Sequence, residues 1–375
     1  MNPKIFCKFL SWKKFIICYF IYFLHNSSPL PFYHKLDKKY SIFHEKKEKV
    51  YTTNEMMKMK RVIGNTPLVR IDYEYLGKRK TIYAKLEMFN FSGSIKDRVA
   101  YYMIEEGIKT KKLKPGMNIV EATSGNTGIS LAALGALLHY PVTIFMPKTA
   151  SEERKKLMKS YGANVLLEDG FESCLEKAKN FAQENQAFYP DQFSNHANFL
   201  AHYEGTGREI TESLPEKIAG FVSGVGTGGT LMGIGKSLKE KYPNILIAAV
   251  EPQNMPLLLK NQKIGPHKIE GIGDEFIPEL IEREFIDKIF LISDEEALQM
   301  TRRLAKELGL GVGISSGANF LGSVLLGKNL KEPVVTIFAD DNKKYLSTNL
   351  VKEENLDPQL LANQIQFLHI EFLEK

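Results

Sequence analysis

From residue 58 onward, short apolar runs alternate with longer stretches in which apolar residues recur at helical spacing. The short runs are Thr81–Leu86, Asn118–Glu121, Pro141–Met146, Asn164–Leu167, Gly220–Ser223, Ile245–Glu251 and Pro333–Phe338. Most are bounded by Gly or Pro and apolar throughout, as parallel strands buried on both faces must be. The longer stretches predict helices over Ser151–Tyr161, Phe171–Asn185, Asn198–Ser213 and Asp294–Leu308. Ser151 supplies an N-cap with Glu152 and Glu153 in the first turn, Ser293 or Asp294 with Glu296 opens another helix, and Gly162 and Gly309 close them. The residues after Asp357 read as one short helical stretch. Regular alternation of this kind predicts a doubly wound α/β architecture.

Composition narrows the class. Of 375 residues 43% are hydrophobic and 25% charged, which is a globular balance. The net charge of +6 is confined to residues 1–57, which hold ten lysines, no arginine and four acids. The remaining 318 residues carry 40 bases and 40 acids, so the body offers no basic nucleic-acid surface. Of three cysteines only Cys174 lies in the body, which excludes an internal disulfide or thiolate cluster there and fits a reducing cytoplasm.

Residues 1–57 form a separate problem. Lys4, Lys8, Lys13 and Lys14 precede an apolar run from Phe15 to Leu24. Ten residues are too few to span a bilayer, which takes about 20 in a helix. The pattern resembles a signal-peptide core, but no small-x-small cleavage site follows in His25–Pro29. The segment is rich in Phe, Ile, Tyr, Lys and Asn, and Met56, Met57 and Met59 stand just before the globular pattern. We therefore read it as a misplaced start or a disordered extension.

The chemistry concentrates in small-residue turns that join strands to helices. Thr123-Ser124-Gly125-Asn126-Thr127-Gly128 and Gly224-Val225-Gly226-Thr227-Gly228-Gly229-Thr230 each aim backbone N–H groups over a helix start, which suits an anion. The second contains Gly224-x-Gly226-x-x-Gly229 with Glu251 at the end of the next strand, an imitation of a dinucleotide fingerprint. Gly313-Ile314-Ser315-Ser316-Gly317 is a third such turn. Lys96 falls at the first turn of a helix, where a cation is disfavoured by the dipole unless an anion neutralises it or its proton is lost.

Taken together these pieces resemble cysteine synthase (O-acetylserine sulfhydrylase) and the catalytic core of cystathionine β-synthase, from about Ile63 to Ser347. Five ordered motifs carry the likeness: Ile63–Val69, Ser92-Gly93-Ser94-Ile95-Lys96-Asp97-Arg98, Thr123–Gly128, Gly226–Thr230 and the later Tyr345-Leu346-Ser347. The resemblance implies a fold-type II pyridoxal 5'-phosphate enzyme, tryptophan synthase β-like, with two doubly wound domains and the cofactor between them. Residues 58–90 plus 196–350 would form the larger domain, 91–195 the smaller mobile one and 351–375 a tail. It further implies a homodimer, and no haem-binding sequence is apparent outside the core.

Residue roles follow from the same likeness. Lys96 matches the Schiff-base lysine and α-proton base. Gly226, Thr227, Gly228, Gly229 and Thr230 match the phosphate cup. Asn126 matches the group facing the cofactor's phenolic oxygen. Thr123, Ser124, Asn126, Thr127 and Gln192 match the substrate-carboxylate binders. Ser315 matches the residue facing the pyridine nitrogen, with its neighbour Ser316 left open. A neutral hydroxyl there leaves the ring a weak electron sink, which favours prompt loss of a β-substituent. The implied chemistry is β-elimination or β-replacement on a Cys- or Ser-like amino acid through an aminoacrylate, first of all O-acetylserine plus sulfide to cysteine.

One departure bears on the substrate. Asp274, in Glu270-Gly271-Ile272-Gly273-Asp274, stands where cysteine synthases carry a small residue. A carboxylate there can take a proton from water or a thiol, and it repels hydrosulfide. It points to a second reading, in which cysteine is consumed and hydrogen sulfide released, with Asp274 as base. The end motif Phe338-Ala339-Asp340-Asp341-Asn342-Lys343-Lys344 also departs from the family's pattern. A nicotinamide dehydrogenase built on Gly224–Gly229 and Glu251 is the alternative from another class, and it leaves Lys96 and Asn126 unexplained. A non-catalytic relative would not need Lys96, Asn126 and Ser315 together.

Overall fold

In a computed structural model, the described residues are 56, 58–352 and 357–373. The reading of residues 1–57 lies outside them, except at Met56. That residue is buried and its carbonyl accepts a 3.1 Å bond from the Tyr101 hydroxyl, so the packed body begins before residue 58.

The elements run β1 (Leu68–Tyr75), β2 (Lys78–Leu86), α1 (Lys96–Lys109), β3 (Ile119–Ala122), α2 (Asn126–Leu138), β4 (Val142–Pro147), α3 (Glu152–Ser160) and β5 (Asn164–Glu168). Next come α4 (Phe171–Glu184), α5 (His196–Leu200), a π turn (Ala201–Thr206), α6 (Gly207–Ser213), β6 (Gly220–Gly224), α7 (Gly229–Lys241), β7 (Leu246–Pro252) and α8 (Leu257–Lys260). The chain finishes with β8 (Lys288–Ile292), α9 (Asp294–Leu308), α10 (Ile314–Gly327), β9 (Val334–Phe338) and β10 (Gln366–Phe372).

Two sheets result. The larger has the order β10-β1-β2-β9-β6-β7-β8, and the smaller β3-β4-β5. All pairings from β2 across to β8, and both in the small sheet, are parallel. Central β9 is Val-Val-Thr-Ile-Phe, buried at every position between β2 and β6. Helix α10 is buried along almost its whole length and packs Phe320, Leu321 and Val324 into the core of the larger sheet. Truncating Phe320 to alanine there costs about 3–5 kcal/mol.

The seven expected strands are all present, six within one residue at their ends and β2 starting three residues earlier than expected, at Lys78. Three more appear. β1 alternates buried and half-buried positions, so it lacks the continuous apolar run of a parallel strand. It turns into β2 through Leu76 (φ 50°) and Gly77 (φ 70°), the two-residue left-handed turn that suits a hairpin. β8 is a short edge strand.

The helical reading after Asp357 is corrected, because Gln366–Phe372 is a strand antiparallel to β1. Phe367 and Ile370 both pack against the core although they are three apart, a helix-like spacing. A bulge explains it: Asp72 pairs with His369 but Tyr73 pairs with Phe367, so Leu368 is skipped and the face is kept. The expected helix Asn198–Ser213 is likewise interrupted by the π turn, which carries buried His202 toward Thr230 at 3.3 Å.

Candidate active site

The strand-to-helix turns open at the carboxyl ends of the parallel strands, and they converge on one cavity of about 400 Å³. Lys96, Thr123, Ser124, Asn126, Thr127, Gln192, Gly226, Thr227, Gly228, Thr230, Asp274 and Ser315 all line it. Gly229 does not. It stands behind the turn, where a Cβ would run into the Asn198 side chain. Ser316 is also outside the wall, its hydroxyl accepting from the Ala339 N–H at 3.1 Å, so Ser315 is the serine that faces the cavity.

Lys96 opens α1. The helix is anchored behind it by a buried ionic cluster. Arg98 donates to Glu87 at 2.7 and 2.9 Å and to Glu209 at 2.6 and 2.8 Å. Lys85 lies 2.9 Å from Glu209 and donates to the Thr66 carbonyl at 2.5 Å. The Thr66 hydroxyl donates to Glu87 at 2.7 Å, and the Gly64 N–H reaches Asn90 at 2.7 Å. The Ile63–Val69 motif therefore supports the helix that presents Lys96. In front, Asp97 accepts from the Ser92 N–H at 2.6 Å and from the Ser92 hydroxyl, which fixes the approach to the helix.

The Lys96 amine donates to Thr227 Oγ1 at 3.3 Å. Burial pulls its pKa down to about 8, against the opposing pull of Asp274. About a tenth of the amine is then neutral at pH 7 and free to act as a nucleophile or base, which eases the conflict with the helix dipole in part.

The turn at α7 is shaped for an anion. Gly228 has φ +87°, a left-handed conformation that glycine adopts without penalty. A Cβ on Gly226 would lie 2.6 Å from the Gly271 carbonyl, so only glycine lets the two loops meet. Thr227 Oγ1 is held by Asn198 Nδ2 at 2.8 Å, and Thr230 lies against His202. Burial together with Lys96 and Arg98 pushes the His202 pKa well down, so its ring is neutral beside the turn.

The second turn is braced from below. Thr127 donates to Gln192 Oε1 at 2.5 Å, and Gln192 Nε2 donates to the Ala122 carbonyl at 2.9 Å. Buried Glu121 accepts from the N–H groups of Ala122 at 2.9 Å and Gln192 at 3.2 Å, and burial raises its pKa to about 8. Asn126 donates from Nδ2 to Asp340 at 2.8 Å, while its buried Oδ1 has no hydrogen-bond partner among the described residues.

Asp274 is held by its loop. Ile269 and Ile272 are in the core, the Gly273 N–H donates to the Val225 carbonyl at 2.8 Å, and His267 Nε2 contacts the Gly273 carbonyl at 2.9 Å. Burial raises the Asp274 pKa to about 6, offset by Lys96 and His267. A carboxyl with that affinity exchanges protons near neutrality.

Several residues of the wall had no role in the sequence reading. Arg154, in the first turn of α3, is buried. It pairs with Glu270 and sits 4.9 Å over the Tyr345 ring. A cation in a helix's first turn was its signal, the same one that drew attention to Lys96. The dinucleotide imitation fails at Glu251, whose carboxylate is spent on the N–H groups of Leu258 at 2.7 Å and Leu259 at 3.1 Å. Among the described residues, no group of three or more His, Cys, Asp or Glu side chains is placed to hold a metal, and no helix is long and apolar enough to cross a membrane.

A lysine of lowered proton affinity, a glycine turn closed to any side chain and an unpartnered amide oxygen on one cavity wall fit pyridoxal phosphate. They would serve its aldehyde, phosphate and ring hydroxyl in turn. The fold and site define a pyridoxal-phosphate-dependent enzyme, and residues 59–340 match the family described by that name.

Cysteine synthase of Staphylococcus aureus is 43% identical over 296 residues, 77% of this chain and 95% of that protein. Among solved structures, a hydrogen sulfide-producing enzyme of Fusobacterium nucleatum superposes with a TM-score of 0.82 at 44% identity, over 86% of this chain and all of that one. A form of it with one aspartate replaced by asparagine was solved in complex with an α-aminoacrylate intermediate. Cysteine synthase of Entamoeba histolytica follows at 0.76 and 39%, over 84% of this chain and 96% of that one. The chain belongs to the cysteine synthase family of pyridoxal-phosphate-dependent enzymes.

Proposed function

We propose that this enzyme performs β-replacement with cysteine as the amino-acid donor, releasing hydrogen sulfide and adding water or a thiol at the β-carbon. The observation that carries it is Asp274. A carboxyl in the cavity wall with a pKa near 6 accepts a proton from a neutral nucleophile, and when ionised it repels hydrosulfide. The likeness to a hydrogen sulfide-producing enzyme supports the same direction.

When bound, pyridoxal phosphate draws electrons from the amino acid's α-carbon, so that the α-proton and a β-substituent can depart. In this reading Gly226, Thr227, Gly228 and Thr230 hold its phosphate, with Gly229 leaving room behind them. Ser315 offers a neutral hydroxyl to the ring nitrogen. Thr123, Ser124, Asn126, Thr127 and Gln192 orient the substrate carboxylate at the start of α2, where backbone N–H groups and the dipole favour an anion. Lys96 Nζ takes the α-proton as hydrosulfide departs from the β-carbon, and returns it to the α-carbon once the nucleophile has added. Asp274 Oδ takes the proton of the incoming O–H or S–H as its oxygen or sulfur bonds to the β-carbon.

A second reading is favoured by the cysteine synthase relatives, namely O-acetylserine plus sulfide giving cysteine and acetate. A product assay separates the two. Purified enzyme is given L-cysteine with and without homocysteine, and separately O-acetylserine with sulfide. Sulfide release from cysteine at a kcat/KM above that for O-acetylserine supports the proposal, and the reverse order overturns it.

We further read the enzyme as a cytoplasmic homodimer whose two lobes are residues 58–90 plus 196–350 and residues 91–195. The two sheets support the lobes, and Cys174, buried and the only cysteine among the described residues, supports a reducing compartment. Light scattering on the purified chain tests the dimer.

A further inference from the structure

Arg154 lines the cavity, and the chemistry above gives it no part. It stands in the first turn of α3, where the helix dipole opposes a positive charge, and it is 2% exposed. The two acids beside it in that turn are engaged elsewhere, Glu152 with Lys155 at 2.8 Å and Glu153 with the Ser347 N–H at 2.9 Å. Its carboxylate partner is Glu270, whose side chain is 28% exposed and so shares its charge with water. The Tyr345 ring covers the guanidinium at 4.9 Å, and the buried Nε has no hydrogen-bond partner among the described residues. Burial and the dipole both oppose this cation, and one partly hydrated anion answers them.

The guanidinium faces the substrate turn. A Cβ built on Gly125 would lie 3.4 Å from Arg154 Nε, 3.5 Å from Cζ and 3.8 Å from Cδ, so the cation packs directly on the Gly125 backbone. A side chain at this position would hold the charge away. Gly125 is the middle of Thr123–Thr127, the turn whose other residues orient the substrate carboxylate in the reading above. The N–H groups and dipole at the start of α2 offer an anion partial charges. Arg154 adds a full charge that no pH near neutrality removes. In a buried wall that charge reaches further than it would in water.

A cation behind the turn attracts the ionised carboxylate of an amino acid and does little for its neutral amide. Glu270 lines the same cavity, and its negative charge subtracts from what Arg154 offers.

We propose that Arg154 is a positioning residue whose charge, acting through the Gly125 backbone, makes this enzyme select amino acids with a free α-carboxylate, while Glu270 sets how much of that charge the substrate feels. The inference rests on the carboxylate placement given above, and a control below tests that placement by itself.

The test is equilibrium binding to cofactor-loaded enzyme, read from the change in cofactor absorbance. L-Alanine, which has no β-substituent to lose, is compared with L-alaninamide. The ratio of their dissociation constants is followed across variants, so the difference in amine basicity between the two ligands cancels. In Arg154→Gln the preference for alanine should fall about tenfold, the scale of a unit charge at this range in a partly buried site. Arg154→Lys keeps the charge and should keep most of the preference. Glu270→Gln should shift the ratio the opposite way, toward alanine, which loss of loop structure alone would not do. That variant also carries the test if Arg154→Gln does not fold, as judged by circular dichroism. An unchanged ratio in folded, loaded Arg154→Gln, or shifts of the same sign in Arg154→Gln and Glu270→Gln, overturns the inference. If Ser124→Ala weakens alanine binding while the Arg154 variants leave the ratio alone, the carboxylate placement stands and the role of Arg154 falls. If Ser124→Ala has no effect either, the placement itself is wrong.

Discussion

Lys96 and Asp274 reach one cavity from separate loops, and each shifts the other's proton affinity: the carboxylate raises the lysine and the ammonium lowers the aspartate. Burial drives both the opposite way and wins, which leaves the lysine near 8 and the aspartate near 6. Two groups that would otherwise titrate far apart are brought within reach of neutral pH.

Replacing Asp274 by Asn should lower kcat for sulfide release from cysteine about 10²–10⁴-fold, the usual worth of a positioned base. Cofactor absorbance should remain. In the parent enzyme activity should rise as pH climbs through about 6, where the carboxyl gives up its proton, and the variant should lack that limb. Unchanged turnover would remove Asp274 from the mechanism.

Lys96 can be tested without turnover. Only the neutral amine attacks an aldehyde, so capture of pyridoxal phosphate by cofactor-free protein should accelerate about tenfold per pH unit and level off above about 8. Asp274→Asn removes a group that raises the Lys96 pKa, so the plateau should begin at lower pH. Stopped-flow absorbance measures both, and Lys96→Ala should give no visible band.

The Arg154–Glu270 pair joins α3 to the loop that ends at Asp274, and a Cβ placed on Gly125 of the substrate turn would be 3.4 Å from Arg154 Nε. Glu270→Gln should destabilise the fold by about 1–3 kcal/mol, since the buried guanidinium loses its anion. It should also displace the activity limb near pH 6, because Asp274 loses one anchor of its loop. Urea denaturation and pH profiles report the two effects, and a variant altered only in stability would free Glu270 of any part in placing Asp274.

Behind Lys96, Arg98 and Lys85 hold the Glu209 pKa down to about 2. An acid with a depressed folded value stabilises the fold above its unfolded pKa of about 4.5, and that contribution fades as pH falls toward 2. Glu209→Gln should therefore cost about 3–5 kcal/mol at pH 7 and progressively less below pH 4.5. A cost independent of pH would mean that the charge is not the cause.

The buried parallel strands were legible because burial on both faces leaves a continuous apolar run. The loops that carry Lys96, Asn126 and Thr227 were legible because a glycine turn before a helix has few other uses. β1 was not, because it mixes buried with half-buried positions, nor was β10, where the bulge opposite Asp72 and Tyr73 gave Phe367 and Ile370 a helical spacing. Ser315 could not be told from Ser316 until the Ala339 N–H was seen to bind the latter. Arg154 and Asp340 were missed as site residues because their roles depend on partners more than a hundred residues away in the chain, Glu270 for one and Asn126 for the other.

The pairing of β10 with β1 joins Val69 to Phe372. On a ribosome, β1 emerges early and its outer neighbour some three hundred residues later. Through that interval one side of β1 is an unsatisfied row of amides and carbonyls, able to pair with the wrong strand or another nascent chain. Closing so long a loop adds little to the equilibrium cost but delays completion of the sheet. Loss of the β10 segment should therefore show first as aggregation during synthesis, well before any change in the chemistry of the cavity.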